Sequence, residues 1–392
     1  VTTVDEYDQA LGIKLNYSSL KNDEFSILPC GVLNEEGIRN IVVTKGVFNK
    51  MDCLSFDGEV DIIASIFYVL TRYEEYSCDF KDQHGRFPAK ESVQVKNEWI
   101  EQCICDRWAV DLIKIIKAES LIKKSEVKLI PTFDIDNTYA YKLKSGVHKT
   151  LSICKDLVRF NFSRLKERRA VNRGGKDPYD TFELIREIGI KNKETKLFWL
   201  IGERAEKDRN ISIDIIDHQQ LIISLDRDFE VNLHPSYNSN GEAESIEKEK
   251  LKLQDVLGRE VIRSRQHFLR FEIPRTFNSL LTAGFSHEYS MGFSERVGFR
   301  SGTARSHFWF NLELSEVTKL RIHPFAYMDG TLNEYMKLSI AESELKVQEL
   351  YNEVYEFGGE FIFIWHNETI GDYKKWNGWS DVLRFTLNLK YE

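Results

Sequence analysis

The pattern of apolar and polar residues along the chain changes near residue 125. Before that point, the stretch 60–76 places apolar side chains on one helical face, which predicts a helix packed against a core. The charged stretch 82–88 contains glycine and proline and predicts a loop. Within it His84 and Arg86 could bind an anion, although an ordinary solvated loop is the simpler interpretation. We therefore place a first domain over residues 1–125.

After residue 125, short apolar runs of strand length alternate with amphipathic helical stretches. One helical stretch carries Phe182, Ile185 and Ile188, and a later one ends at the glycine pair 358–359. The predicted strands are Val127 to Phe133, Thr195 to Ile201, Phe229 to Leu233, Phe268 to Ile273, Leu320 to Phe325 and Phe361 to Trp365. Such alternation over residues 126–392 predicts an α/β barrel or an open doubly wound sheet.

Composition narrows the function classes. Hydrophobic residues make up 42% of the 392 residues and charged residues 30%, which is typical of a globular protein with a sizeable core. The net charge of −8 argues against a general nucleic-acid surface, since the basic stretch 164–169 is short and contains an acid. No apolar run approaches the roughly 20 residues that span a bilayer. The six cysteines show no CxxC spacing and the first residues show no signal-peptide pattern, so we expect reduced thiols and a cytoplasmic location.

Four chemically active residues directly follow or end the predicted strands. Asp134 and Asp136 come after the first run, His234 follows the third, and His366 follows the last. Because the carboxyl ends of parallel strands converge on one face of a barrel, we expect these side chains to share a cleft despite their distance in sequence.

Each of these residues also has a purely structural interpretation. The two aspartates could divide the work of holding a cation and accepting a proton, or could form an Asx-turn that ends the strand. An imidazole at position 234 is a good ligand for zinc or a similar ion, whereas a single histidine is more often a core or surface group. His366 could act as a general acid or simply close a buried strand. Their common placement at strand ends favours the chemical interpretation.

The order of these motifs resembles the polysaccharide deacetylase (NodB-homology) family. The resemblance covers about residues 126–392 and is carried by Phe133-Asp134-Ile135-Asp136, by His234-Pro235-Ser236-Tyr237, by an arginine-rich strand near Arg265 and by the apolar strand before His366. More closely, the chain resembles a bacterial branch in which a smaller α/β module precedes the barrel. The stretches 264–271, 289–293 and 297–303 fit that branch, and 72–76 and 84–87 fit its leading module.

The resemblance implies a deformed (β/α) barrel over residues 126–392, preceded by an α/β module of unknown role. It also implies metal-dependent hydrolysis of an N-acetyl or O-acetyl group on a sugar. Matched by motif, Asp134 would be the general base, steadied by Arg265, and His366 the general acid. Asp136 and His234 would hold a divalent metal, with zinc expected and cobalt, nickel or manganese as alternatives.

One position departs from the family pattern. The family has a second metal-binding histidine four residues after the first, and this chain has Asn238 there. An amide oxygen is a poorer zinc ligand than an imidazole. Either Asn238 binds the metal weakly, another group such as His267 completes the shell, or the branch has lost the metal and the reaction.

Further residues are expected to line the cleft and contact the carbohydrate substrate. They are Tyr237, His267, Arg300, His323 and Asp329. His323 could equally close a strand, and Arg300 and Asp329 could form ion pairs. The resemblance thus implies a carbohydrate deacetylase that acts in surface-polysaccharide metabolism. Two alternatives stay open, a catalytically silent carbohydrate-binding barrel and a hydrolase of the same fold that acts on a non-sugar amide.

Overall fold

A computed structural model describes residues 4–9, 11–19, 25–33, 37–123, 125–144 and 146–391. Within these residues the strands form a parallel pair, a three-stranded antiparallel sheet and a nine-stranded sheet. The two small sheets lie in the leading part of the chain, and the large sheet begins at Val127. None of the described helices is both long and apolar enough to cross a membrane.

Short elements make up the leading part. Its strands are β1 (Asn16–Tyr17), β2 (Ser26–Ile27), β3 (Val43–Phe48), β4 (Met51–Phe56) and β5 (Glu59–Val60). Its helices are α1 (Val4–Gln9), α2 (Ile62–Leu70), α3 (Tyr73–Tyr76), α4 (Val93–Lys96) and α5 (Ile104–Ile115). Leu54, Phe56 and Trp108 lie in the hydrophobic cluster that β4, α2 and α5 share.

The helix predicted over 60–76 is interrupted at Arg72. The Asp61 side chain caps its start by accepting hydrogen bonds from the backbone N–H groups of Ile63 and Ala64. Arg72 has a φ of 58°, in the left-handed region, so α2 ends and the short α3 begins. The Arg72 guanidinium is buried and pairs with Glu75.

Parallel strands form most of the large sheet. They are β6 (Val127–Ile135), β7 (Lys196–Leu200), β8 (Glu230–His234), β9 (Arg263–Ser264), β10 (His287–Glu288), β11 (His307–Asn311), β12 (Glu316–Ile322), β13 (Tyr327–Met328) and β14 (Gly359–His366). The strand order is β11-β12-β10-β9-β8-β7-β6-β14-β13, and of these pairs β11 with β12 is antiparallel. The sheet curls into a half-barrel, which is compatible with the deformed barrel predicted from the sequence.

Helices alternate with these strands. They are α6 (Gly146–Val158), α7 (Phe162–Asn172), α8 (Phe182–Lys191), α9 (Ile216–Asp226), α10 (Ala243–Leu257), α11 (Arg275–Thr282), α12 (Ile340–Phe357) and α13 (Ser380–Leu387). Strand residues such as Trp199 and Trp365 join helix residues in one large hydrophobic cluster. Their chain neighbours Phe198 and Ile364 join a separate cluster on the other face of the sheet, as the two-residue period of a strand requires.

One predicted strand is wrong. The apolar run 268–273 does not form a strand but begins in a 3₁₀ turn over His267–Leu269, and the short strand β9 lies before it. Phe268 and Leu269 have φ values of 62° and 50°, which a strand cannot accommodate. The backbone of this run is irregular, but it still places the side chains of Leu269, Phe271 and Ile273 in the protein interior, which accounts for their apolar character. The predictions for β6, β7, β8 and β14 are confirmed, with small shifts of their ends.

Candidate metal centre

Three potential ligand atoms meet at the carboxyl end of the half-barrel. They belong to Asp136, His234 and His267, and they lie within 4.8 Å of one another. Asp136 follows β6, His234 ends β8, and His267 lies in the turn after β9. The parallel pairing of neighbouring strands from β6 to β9 brings these positions to one edge of the sheet.

The hydrogen bonds of His234 fix which of its ring nitrogens is free. Its Nδ1 lies against the backbone carbonyl oxygen of Arg265, which can only accept, so Nδ1 carries the proton. The lone pair on Nε2 then faces Asp136, whose Oδ1 is 3.2 Å away. That oxygen is buried and has no hydrogen-bond partner among the described residues. Two buried acceptors that face each other are satisfied by a shared cation, so these residues fit a metal.

His267 is oriented from behind by a buried carboxylate. Its Nδ1 is 2.8 Å from Asp208 Oδ1, and its Nε2 is 3.4 Å from Asp136 Oδ2. Burial opposes a charge on His267, but Asp136 and Asp208 outweigh burial and raise its pKa to about 9. A proton and a divalent cation compete for the same Nε2 lone pair, and a carboxylate behind the ring is the usual partner of a metal-binding histidine.

A second aspartate beside the cluster has a different partner. The Nη1 of the fully buried Arg265 donates a hydrogen bond of 2.8 Å to Asp134 Oδ1. Arg265 itself is held by the backbone carbonyl of Tyr289 and by the face of the Phe198 ring. The other oxygen of Asp134, Oδ2, lies 3.8 Å from His234 Nε2. Arg265 therefore holds the Asp134 carboxylate with one oxygen close to the cluster.

A third imidazole faces the cluster from the end of β14. His366 Nδ1 is 2.8 Å from Asp329 Oδ1, and His366 Nε2 is 3.8 Å from Asp136 Oδ2. Asp329 also accepts hydrogen bonds from the backbone N–H of His366 and from the hydroxyl of Thr369. Burial opposes protonation of His366, but Asp329, Asp136 and Asp134 raise its pKa well above the usual value. These carboxylates thus favour the form of His366 that carries a proton on both ring nitrogens.

The cluster opens into a trough of about 1180 Å³. Cationic and aromatic side chains line its walls, among them Lys144, Arg204, Tyr179, Tyr373 and Trp376. Glu368 lines it too, and burial together with the charge of Asp136 raises the Glu368 pKa to about 7. The size and mixed lining suit a large polar ligand.

Comparisons with known proteins give partial likenesses to a protein family and to a solved structure. Residues 1–120 match a protein family described as a family of unknown function, DUF7033. A crystal structure from Mycobacterium smegmatis, described as that of a "putative polysaccharide deacetylase", is 12% identical with a TM-score of 0.41, and the match covers 68% of this chain and 86% of that chain. No curated protein sequence matches the chain. The chemistry of the site follows from its own geometry.

Seven of the sequence-predicted residues meet at the site. They are Asp134, Asp136, His234, Arg265, His267, Asp329 and His366. Two neighbours of His234 do not line the trough. The hydroxyl of Tyr237 lies 3.2 Å from His84 Nδ1, and Asn238 is exposed and does not line the trough. His267, and not Asn238, stands beside Asp136 and His234.

Two further predicted residues lie away from the trough. Arg300 is buried and pairs with Glu75 of the leading part. His323 pairs with Glu360, which lies near the beginning of β14, whereas His366 lies at its end. Neither side chain is among the residues that line the trough.

Two residues at the site, Asp208 and Glu368, were not predicted from the sequence. Asp208 lies in the irregular segment between β7 and α9, where no motif or periodicity marks it. Glu368 does carry a signal, because it stands two residues after His366 at a strand end.

Proposed function

We propose that the chain is a metal-dependent hydrolase that removes acetyl groups from a carbohydrate. One observation carries the proposal: three ligand atoms converge beside two further groups, the pair Asp134–Arg265 and the pair His366–Asp329. A metal site flanked by a carboxylate that could accept a proton and an imidazole that could donate one would hold what hydrolysis of an acyl bond requires.

Asp136, His234 and His267 would hold the metal. Two imidazoles and one carboxylate form the ligand set of many catalytic zinc sites, in which a further position stays open. Zinc is the first expectation, and cobalt, nickel and manganese accept similar ligands. When bound, the metal supplies a Lewis acid that polarises the acetyl carbonyl and makes water easier to deprotonate.

The neighbouring residues would manage the protons of the reaction. Asp134 would take a proton from the attacking water at Oδ2 while Arg265 holds Oδ1. As the bond between the acetyl carbon and the sugar nitrogen or oxygen breaks, His366 would donate its Nε2 proton to that leaving atom. Asp329 holds Nδ1 and keeps the ring oriented for the transfer. The products are acetate and the deacetylated sugar.

The alternative of a silent carbohydrate-binding barrel depends on an incomplete metal shell. Asn238 was the reason for considering it. The imidazole of His267, backed by Asp208 and facing Asp136, supports the catalytic proposal instead, because it supplies the ligand type that Asn238 lacks.

The trough supports a carbohydrate substrate over a small non-sugar amide. Tyr141, Tyr179 and Trp376 are among the residues that line an open cavity larger than a small amide needs. The cationic side chains among its walls would suit a glycan that also carries negative charge.

Acetate release from acetylated oligosaccharides tests the proposal. We expect turnover with zinc, cobalt, nickel or manganese, loss of turnover with a chelator, and its return when metal is added. Asp134→Asn should lower the turnover by about 10² to 10⁴-fold while the bound metal stays. Asp136→Ala combined with His234→Ala should remove the metal, whereas His287→Gln, an imidazole outside the trough, should keep it.

Two results would contradict the proposal. If elemental analysis finds no metal after incubation with any of the four ions, the silent alternative is favoured. If N-acetylated non-sugar amides are hydrolysed and acetylated sugars are not, the substrate class is wrong.

A further inference from the structure

The hairpin formed by α6 and α7 exposes four large apolar side chains within six residues. Leu157 is 49% exposed, Val158 78%, Phe160 77% and Phe162 64%, and they surround the turn between the two helices. The Phe160 and Phe162 rings lie 6.3 Å apart. A contiguous apolar tip of this kind marks an interaction site, whereas single exposed apolar side chains are ordinary.

Cations follow the apolar tip along one stripe of α7. One face of α7 carries Phe162, Lys166 and Arg169, and Arg173, which directly follows the helix, continues their spacing of four, three and four residues. All four side chains are exposed. The three cations form no ion pair with another described residue. This local positive charge occurs in a chain whose net charge is −8.

The acids of the same segment are turned away from that surface. Between residues 151 and 176 the sequence contains two acids, Asp156 and Glu167. Asp156 is buried and pairs with Arg164 and Arg168. Glu167 accepts a hydrogen bond from the hydroxyl of Tyr141 and another from Tyr373. The exposed surface of the hairpin is therefore apolar at its tip and basic behind it.

We propose that the α6–α7 hairpin docks on the surface of an anionic lipid bilayer. The protruding phenylalanine and aliphatic side chains would enter the interfacial region, and the stripe of cations behind them would meet the phosphate groups. The long stems of Lys166, Arg169 and Arg173 allow their charges to reach the headgroups while Phe162 is inserted. A soluble polyanion would use the cations but would leave the apolar tip in water, so the surface fits a lipid better than a nucleic acid.

The opposite side of the hairpin lines the trough. Ser152, Lys155, Asp156, Arg159 and Arg164 all belong to its wall. Docking through the tip would therefore hold the trough beside the membrane surface, where it could reach a substrate attached to lipid. The docking proposal itself does not depend on the deacetylase proposal, since it is tested by binding alone.

Co-sedimentation of the full chain with vesicles tests the proposal. We expect binding to phosphatidylcholine vesicles that contain phosphatidylglycerol, weak binding to phosphatidylcholine alone, and a decrease as sodium chloride is raised. Phe160→Ser combined with Phe162→Ser should weaken binding about tenfold or more. Lys166→Gln combined with Arg169→Gln should weaken it and flatten its salt dependence.

The matched control removes two exposed apolar side chains elsewhere. Ile190 is 79% exposed on α8 and Leu345 is 67% exposed on α12, and Ile190→Ser with Leu345→Ser should bind vesicles as the unchanged chain does. Circular dichroism checks that every variant is folded. Absence of binding to anionic vesicles would overturn the proposal, as would equal binding by the phenylalanine variant and the control. Tight binding of duplex DNA that survives both phenylalanine replacements would also overturn it, in favour of a soluble polyanion.

Discussion

Asp134 and Asp136 are two residues apart but contact different side chains. Asp134 and Asp136 project to the same side of an extended chain, since successive side chains alternate. Asp134 meets the buried guanidinium of Arg265, whereas Asp136 meets the imidazoles of His234 and His267. Arg265 holds one oxygen of Asp134, whereas Asp136 faces two imidazoles with which it could share a cation.

Asp208 provides the sharpest test of a single residue. Replacing it by asparagine removes the charge behind His267 Nδ1, so Asp208→Asn should weaken metal affinity about 10 to 100-fold without unfolding the chain. Zinc titration against a competing chelator measures the change. Asp214→Asn, on an exposed position of the same segment, should keep the original affinity. Equal affinities in the two variants would remove Asp208 from the role of orienting partner.

Glu288 makes stability depend on pH. Burial raises its pKa from 4.5 to about 7, so between these values the folded chain binds more protons at this group than the unfolded chain does. Stability should therefore fall as the pH rises through that window. Between about pH 5 and about pH 8, this group alone should lower the unfolding free energy of the unchanged chain by about 2 to 3 kcal/mol. Glu288→Gln removes the titrating group, so the variant should not show this part of the decrease.

Urea unfolding at both pH values measures this difference. Glu126→Gln, on an exposed residue, should retain the full pH dependence. If Glu288→Gln retains it as well, the carboxyl group of Glu288 is ionised in the folded chain across the whole range.

At the scale of elements, the turn after β9 contains His267 and is held in place by hydrogen bonds with the leading part of the chain. Arg86 Nη1 donates to the backbone carbonyl of Phe268, the residue next to His267. In return Arg270 Nε donates to the backbone carbonyl of His84. The loop 82–88, predicted as a solvated loop, thus supports the turn that carries the candidate metal ligand His267.

Loss of this brace should loosen His267. Arg86→Gln removes the hydrogen bond to the Phe268 carbonyl and the ion pair with Asp82. We therefore expect a lower metal affinity and a kcat/KM about tenfold lower. Lys81→Gln, which removes a partly exposed pair with Glu272, is the control and should change neither quantity. Unchanged metal affinity in Arg86→Gln would restrict Arg86 to the wall of the trough.

The sequence predicts those site residues that follow regular elements. Asp134, Asp136, His234 and His366 stand directly at the ends of apolar strands, where the period of hydrophobic residues locates them. The turn over His267–Leu269 could not be predicted, because its apolar residues resemble a strand while two left-handed residues bend the backbone. Asp208 lies in a segment that only tertiary contacts fix, so no local pattern identifies it.

At the scale of the whole molecule, a buried ion network joins the leading part to the half-barrel. Glu75 accepts hydrogen bonds from Arg72 and from Arg300, and all three side chains are buried. Arg72 Nη1 in turn donates to the backbone carbonyl of Arg300. The domain boundary at residue 125 stays a prediction. The pattern of apolar and polar residues reveals neither this network nor how far the two parts depend on each other.

Neutralising the centre of the network should destabilise the whole chain. Glu75→Gln leaves two buried arginines without their shared counter-charge, so we expect a loss of about 3 to 5 kcal/mol in unfolding free energy. Urea unfolding followed by tryptophan fluorescence measures it. Asp111→Asn, which breaks a solvent-exposed pair with Lys114, should cost less than about 1 kcal/mol. Equal losses would mean that the network contributes no more than a surface pair.

The leading part packs against side chains of β11. This strand ends the large sheet, and Phe67 and Tyr76 of the leading part contact its residues Phe310 and Trp309. An uncovered strand edge invites pairing between molecules. Because Phe67 and Tyr76 pack against side chains of this strand, the leading part shields aromatic groups at the end of the sheet that would otherwise be open to a second molecule.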